Sequence, residues 1–302
     1  MKIKCKGVAN KSAKGEILDI YFPCIDYGEK KVSSEIEISK NLNQELVEIN
    51  WSDEDLGKPI ENVEGAYLKL QLLSNKFVLP NSININGLFS NIPNVVWTNQ
   101  GPISIEEIDK KLHESKLNNN DLHIKSVDKF PCLTDYIVPR KVRIADASRV
   151  RLGAYLSEGT TIMHEGFVNF NAGTLGSAMI EGRISAGVVV GNNSDIGGGA
   201  STMGTLSGGN DTKIFIGENC LLGANSGIGI SLGDNCTVEA GLYLTSGTKV
   251  TIFDNDVSKI IKAVELSGKP NILYYRDSTN GKVIAAENNK ISDLNKELHS
   301  ND

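Results

Sequence analysis

Across residues 151–250 only 12 side chains are charged, and four of them, Glu165, Glu181, Arg183 and Glu239, interrupt runs of glycine and aliphatic residues. A carboxylate in such surroundings is costly unless it is paired, bound or used. Singly, each fits a solvated face as well as a site; as a group, beside breaks in the surrounding pattern, they point to a site. A carboxylate can serve as a general base. A guanidinium two residues further on can grip a carboxylate bidentately. His164 is the one histidine in the stretch, and it fits either a packed, hydrogen-bonded side chain or a base. The five cysteines, Cys5, Cys24, Cys132, Cys220 and Cys236, are odd in number and lack CxxC spacing, which reads as reduced thiols.

Something regular must hold these residues. Of the 30 glycines, 21 fall between 151 and 250, and no proline occurs between Pro139 and Pro270. Aliphatic residues recur every six positions: Ile144, Val150, Leu156, Ile162, Val168, then Ile184, Val190, Ile196, then Ile216, Leu222, Ile228, and finally Leu232, Val238, Leu244, Val250. Six is neither the helical period nor strand alternation. It predicts a parallel β-helix in which each hexapeptide gives one short strand and one turn, three to a coil, about six coils in all. Two breaks in the pattern are informative. Val168 to Ile184 is two residues short of three hexads, and Ile196 to Ile216 is long enough to push Leu206–Asp211 out as a loop, a harmless insertion or part of a site.

The flanks are more ordinary. Ser104-Ile105-Glu106-Glu107 reads as a capping box opening a helix over about 104–117. Phe77-Val78-Leu79 and Val95-Val96-Trp97 read as strands. Ile272–Tyr275 and Lys282–Ile284 flank Asn280-Gly281 as a hairpin; Val257–Val264 fits helix or strand, and Ile291, Leu294 and Leu298 suggest a terminal helix. The expected fold is mainly β: an N-terminal α+β domain (1–138), a left-handed β-helix (139–254) and a short C-terminal β/α tail (255–302).

Composition narrows the function classes. At 302 residues with 40% hydrophobic side chains the chain can build cores. A net charge of −6 argues against a nucleic-acid partner. No apolar run reaches membrane length and Met1–Cys5 opens no signal peptide, so a cytoplasmic protein is expected. Hexapeptide helices serve acyltransferases, sugar-nucleotide enzymes, some carbonic anhydrases and scaffolds, so the fold alone decides nothing. With four histidines in the chain and one in the repeat, a three-histidine zinc site is excluded.

The segments Met163–Gly176, Met179–Ser185, Gly197–Ser201, Met203–Gly209, Leu221–Gly227 and Val238–Tyr243 are similar to tetrahydrodipicolinate N-succinyltransferases. Gly87–Phe89, Asn94–Thr98 and Glu265–Gly268 resemble the longer branch of that family, which carries an N-terminal domain. The resemblance implies that succinyl-CoA, tetrahydrodipicolinate and water give N-succinyl-2-amino-6-oxopimelate and CoA, a step of diaminopimelate and lysine synthesis. It also implies a homotrimer with sites between subunits and no covalent cofactor.

Carried over position by position, the resemblance makes Glu181 the catalytic carboxylate, as an acyl-anhydride former or, from its chemistry, a general base. Arg183 matches a ligand-binding position suited to a succinyl or dicarboxylate carboxylate, Gly198 and Ser201 match substrate contacts, and Ala224, Glu239, Ala240 and Gly247 match further positions lining the acyl-CoA groove. Lys262 and the Tyr275, Arg276, Asp277, Ser278 segment match tail positions that contact CoA, with Tyr275 where the family often has arginine. The family can hold Mg²⁺ on the trimer axis through an aspartate and a glutamate; here Glu165 is present and Ser148 replaces the aspartate. Acetyl transfer, amino-sugar acylation and a silent scaffold are the rival readings.

Overall fold

A computed structural model describes residues 1–34, 43–209, 211–254 and 257–289, and they divide into two compact units. The first comprises Met1–Leu73 and Ser82–Pro131; the second comprises Ser74–Asn81 and the chain from Cys132 onward.

In the first unit, strands Lys2–Lys11, Ile17–Tyr27, Lys30–Val32 and Gln44–Ser52 make an antiparallel sheet in the order third, second, first, fourth. Its first strand alternates exposed lysines with buried Ile3 and Cys5, the period of a sheet with one wet face. Helix Val63–Ser74 is buried on nearly every side, so even Lys69 and Gln71 lie inside. A second sheet sets Val95–Thr98 between Gly101–Ser104 and Ile124–Asp128. Helix Ile105–Leu117 follows, and the hydroxyl of Ser104 accepts from the Glu106 amide as an N-cap. The expected capping box does not close: Glu107 instead accepts from the Ala13 amide at 2.6 Å.

The second unit is the β-helix. Its first face stacks Arg143–Ile144, Thr160–Ile162, Ala178–Ile180, Ser194–Ile196, Leu221–Leu222 and Thr237–Val238 in parallel. The second stacks Phe167–Val168, Arg183–Ile184, Ser201–Thr202, Gly227–Ile228 and Tyr243–Leu244. The third stacks Tyr155–Leu156, Gly173–Thr174, Val189–Val190 and Phe215–Ile216. Inward residues of the hexad series are buried, with Ile144 at the open end half-buried. Corners need left-handed backbone, supplied at Asn171, Asn193, Asn219, Asn225 and Asn235. At Gly173 a Cβ would stand 1.8 Å from the Tyr155 carbonyl oxygen, so adjacent coils can meet there only at glycine.

The two slips become concrete. Thr174 and Ile180 take the inward places between Val168 and Ile184, so the missing two residues are lost at one corner, Glu181-Gly182. Other corners between the first and second faces keep four residues, as in 163–166 and 197–200. The long gap is an excursion between Thr202 and Ile216, closed by an antiparallel bridge from Thr205 to Lys213.

Val257–Lys262 is a strand paired antiparallel with Lys249–Asp254, resolving the open choice. Ile272–Arg276 and Val283–Glu287 form the expected hairpin, with a loop longer than the two-residue turn, and Ile272–Arg276 extends the first face beside Thr237–Val238. Phe77–Leu79 is not a strand. It lies in an irregular run held to the coils by side chains: Ser74 Oγ donates to the Ala154 carbonyl, and Asn81 bonds Asn171 and the Gly187 carbonyl. A three-residue apolar run ending at Pro80 cannot distinguish a strand from a buried connector. The suggested terminal helix at Ile291–Leu298 lies outside the described residues.

Candidate active site

The shortened corner makes the site. Because Glu181-Gly182 spans the turn with two residues where the coils on either side use four, the surface is recessed there by construction. The recess, about 510 Å³, is lined by Arg149, Glu165, Phe167, Glu181, Gly182, Arg183, Gly199 and Ala200. The corner is tight enough to demand glycine: a Cβ on Gly182 would meet the Ala200 carbonyl oxygen at 2.5 Å. Both peptide N–H groups of the corner donate to the Ile196 carbonyl, at 2.8 and 3.0 Å, which fixes the half-buried Glu181 in the recess. Its carboxylate leans toward the next coil, where Oε2 would lie 3.6 Å from a Cβ on Gly198.

Arg183 opens the second face and points outward. Its Nη2 and Nε donate to Ser201 Oγ at 3.0 and 3.3 Å, so a hydroxyl on the adjacent coil steers the fork. Four predicted residues thus stand together: Glu181 and Arg183 in the recess, Gly198 and Ser201 on its border. Ala224, Glu239 and Ala240 continue along the same edge on later coils, where Gly223 lets Ala240 approach. Gly247 does not join that edge. It follows Ser246, which bonds Ser207 of the excursion at the opposite border of the second face.

Glu239 does structural work: its Oε2 accepts from the Arg276 amide at 2.8 Å, tying the Tyr275–Ser278 segment to the β-helix edge. Asp277 caps its own turn, accepting from Thr279 and Asn280, and these bonds hold its carboxyl below the usual carboxylate range. Ser278 is exposed in that turn, and Lys262 is exposed across from Lys249.

The suggested metal ligands do not make a site in one chain. Glu165 is exposed, while Ser148 spends its hydroxyl and amide on Asp146 Oδ1 at 2.6 and 2.9 Å, holding Asp146 below the usual carboxylate range. Among the described residues no cluster of three or more acidic, histidine or cysteine side chains is placed for a metal. No described helix is long and apolar enough to cross a membrane.

Several residues escaped the sequence reading. Phe167 pairs with Arg183 and takes the Arg151 guanidinium over its ring at 5.7 Å. Tyr243 lies across Gly227, where a Cβ would be 2.1 Å from Cε2, and so brings an aromatic surface toward Ser201 on the next strand. Asp195 sits on the first face beside Met179. Strand register was the missing signal in each case. A larger hollow, about 740 Å³, opens in the first unit among amides such as Asn10, Gln44, Gln100 and Asn120. Its cations, Lys11 and Lys111, already face Glu45 and Glu107, so it assembles no comparable reactive group.

Comparison with known proteins identifies the family of the chain. Residues 92–131 match the family model described as the middle of tetrahydrodipicolinate N-succinyltransferase, and residues 213–246 match the hexapeptide repeat of succinyl-transferase. A 2,3,4,5-tetrahydropyridine-2,6-dicarboxylate N-succinyltransferase of Pseudomonas paraeruginosa is 56% identical over 78% of this chain and 69% of its own length. The Vibrio cholerae enzyme of the same name is 53% identical over 86% and 76%. A Campylobacter jejuni crystal structure, titled as a 2,3,4,5-tetrahydropyridine-2-carboxylate N-succinyltransferase, superposes with a TM-score of 0.84 at 34% identity, covering 96% of this chain and 93% of that one. The chain belongs to the tetrahydrodipicolinate N-succinyltransferase family.

Proposed function

We propose that the recess at the Glu181-Gly182 corner is where the chain transfers succinyl from succinyl-CoA to the amine of tetrahydrodipicolinate with uptake of water, releasing N-succinyl-2-amino-6-oxopimelate and CoA, a step toward diaminopimelate and lysine. The observation that carries the reading is the corner itself, which recesses one carboxylate and aims one guanidinium along the adjoining face. Water adds across the cyclic C=N bond of tetrahydrodipicolinate, freeing an amine and leaving the 6-oxo group; the amine nitrogen attacks the thioester carbonyl, the new C–N bond forms and the C–S bond breaks. Glu181 takes the proton the nitrogen must lose and returns it to the departing thiolate, so the acyl exchange balances, with the water that opens the ring as the one further reactant. Arg183, steered by Ser201, meets the free carboxylate of the succinyl chain. Gly198 leaves room for the reacting carbonyl beside Glu181.

Ala224, Ala240 and Gly247 flank the course of the acyl-CoA, and Glu239 holds the tail. Lys262 and Arg276 are exposed cations outside any ion pair among the described residues, suited to CoA phosphates. Three chains would assemble with sites between neighbours, in the cytoplasm. With Ser148 in the aspartate's place, a Mg²⁺ on the axis would have Glu165 as its one carboxylate from each chain.

Thiol release in the presence of succinyl-CoA or acetyl-CoA, with and without tetrahydrodipicolinate, tests the reading. Release that requires both succinyl-CoA and the acceptor supports it. A preference for acetyl-CoA, or no release at all, overturns it in favour of acetyl transfer or a scaffold. Light scattering should return about three times 32.6 kDa; a stable monomer would remove the shared site.

A further inference from the structure

Strands Ala178–Ile180 and Ser194–Ile196 pair in register, Met179 opposite Asp195 and Ile180 opposite Ile196. Ile180 and Ile196 point into the coil, so Asp195 turns outward, and Glu181 follows directly at the corner held by the Ile196 carbonyl. Asp195 and Glu181 are therefore diagonal neighbours on adjacent coils, offset by two residues along the strand and roughly 7–8 Å apart, and Glu181 leans toward the Asp195 coil at Gly198.

The surroundings of Asp195 are poor in polar partners. Met179, buried, lies on one side and Leu221 on the other, with Thr161 and Thr237 one strand further out. Its side chain makes no hydrogen bond or ion pair among the described residues, and Glu181 is the charge that acts on it. Burial, then repulsion from Glu181, pushes its pKa up to about 6.

We propose that Asp195 is a positioning residue for the transfer, forming a carboxylate pair with Glu181 and acting through it to make Glu181 a better acceptor for the amine proton. The inference rests on Glu181 taking that proton. With both groups ionised, a proton arriving at the pair relieves the repulsion between them, so the pair accepts it more readily than an isolated carboxylate would. A base nearer the working pH transfers protons more effectively. The transferred proton then leaves on the CoA thiolate, and the pair is restored.

Asp195→Asn keeps the shape and deletes the charge. The acid limb of the pH profile for kcat/KM should move about one unit or more to lower pH. The plateau of kcat should fall about three- to tenfold, while KM for succinyl-CoA changes less than twofold. Asp195→Glu should return much of the limb, a rescue that mere packing would not give. If Asp195→Asn does not accumulate folded, Asp195→Ser is read in the same way. An active neutral variant whose acid limb stays in place overturns the inference and leaves succinyl transfer standing.

Thermal melting without substrate separates the pair from the reaction. A carboxyl whose pKa is raised on folding loses stabilising effect as pH climbs from the ordinary carboxylate range through about 6. The neutral variant should therefore melt above the parent chain at pH 8 and lose that advantage toward pH 4. A constant gap across this range overturns the pair. The expected melting pattern in a parent chain that transfers no succinyl overturns the functional reading, and the catalytic part of this inference with it.

Discussion

The two units treat their polar residues in opposite ways. In the first, long polar side chains are inside and hold the fold. Lys69 Nζ donates to the carbonyls of Leu56, Lys58 and Asn84 at 3.2, 2.6 and 2.7 Å, and lies 5.8 Å from the Trp51 ring centroid. Burial pushes its pKa down. Gln71 accepts from the Phe22 amide and donates to the Ile20 carbonyl, fastening the buried helix to the sheet. In the β-helix the buried polar groups include the small hydroxyls of Thr160, Thr174, Ser194 and Thr202, which bond within the coil stack. The coil needs no long buried polar group because parallel ladders satisfy its backbone at each turn. Its charged residues are left at corners and outward positions, available for chemistry.

Lys69→Met should test the first half of that contrast with the largest effect. The substitution keeps an apolar stem and leaves three carbonyls facing it without their donor, which should cost about 3 kcal/mol or more of stability. Denaturant unfolding followed at Trp51 and Trp97, both in the first unit, would read the loss. An unchanged midpoint would mean that the buried ammonium adds nothing beyond its stem.

Glu181→Gln tests the second half. It preserves size and one acceptor while removing the proton-accepting charge, so turnover should drop at least about 10²-fold, near 2.7 kcal/mol in the barrier. The melting temperature should not fall, since the corner is fixed by its peptide N–H bonds to Ile196 rather than by the carboxylate, and above pH 6 the lost repulsion with Asp195 should raise it slightly. Turnover near the parent level would shift the proton to another group. A collapse in stability would erase the distinction between the two units.

The contrast also explains what could be read from the chain. Hexad positions were legible because the inward residue of each short strand meets the same narrow interior, and repetition amplifies a weak local signal. The sixteen-residue slip was visible, but its location was not: Thr174 is polar, and so did not announce itself as an inward position. Only pairing of Ile180 with Ile196 puts the short corner at Glu181. Asp195 and Tyr243 become site residues through neighbours that are distant in sequence. In the first unit no repeat existed to amplify anything. Helix Val63–Ser74 is apolar nearly throughout and gives little periodic contrast, and Glu107 carried a capping-box spacing while bonding a residue 94 positions away.

The smallest expected effect is the most diagnostic of how outward charges are used. Arg183→Met keeps much of the stem and deletes the fork that Ser201 steers, so it isolates the charge. Succinyl-CoA differs from acetyl-CoA in this respect by its terminal carboxylate, and a charge-assisted bond to it is worth about 1.5 to 3 kcal/mol. Preference for succinyl-CoA over acetyl-CoA should therefore shrink about tenfold or more, while the slower reaction with acetyl-CoA stays nearly constant. Stability should move little, since Arg183 is exposed and its guanidinium bonds the single hydroxyl of Ser201. Equal losses with both donors would assign Arg183 to a carboxylate of the acceptor instead. If neither rate changes, the charge is idle, and an outward position on this face does not by itself mark a residue of the reaction.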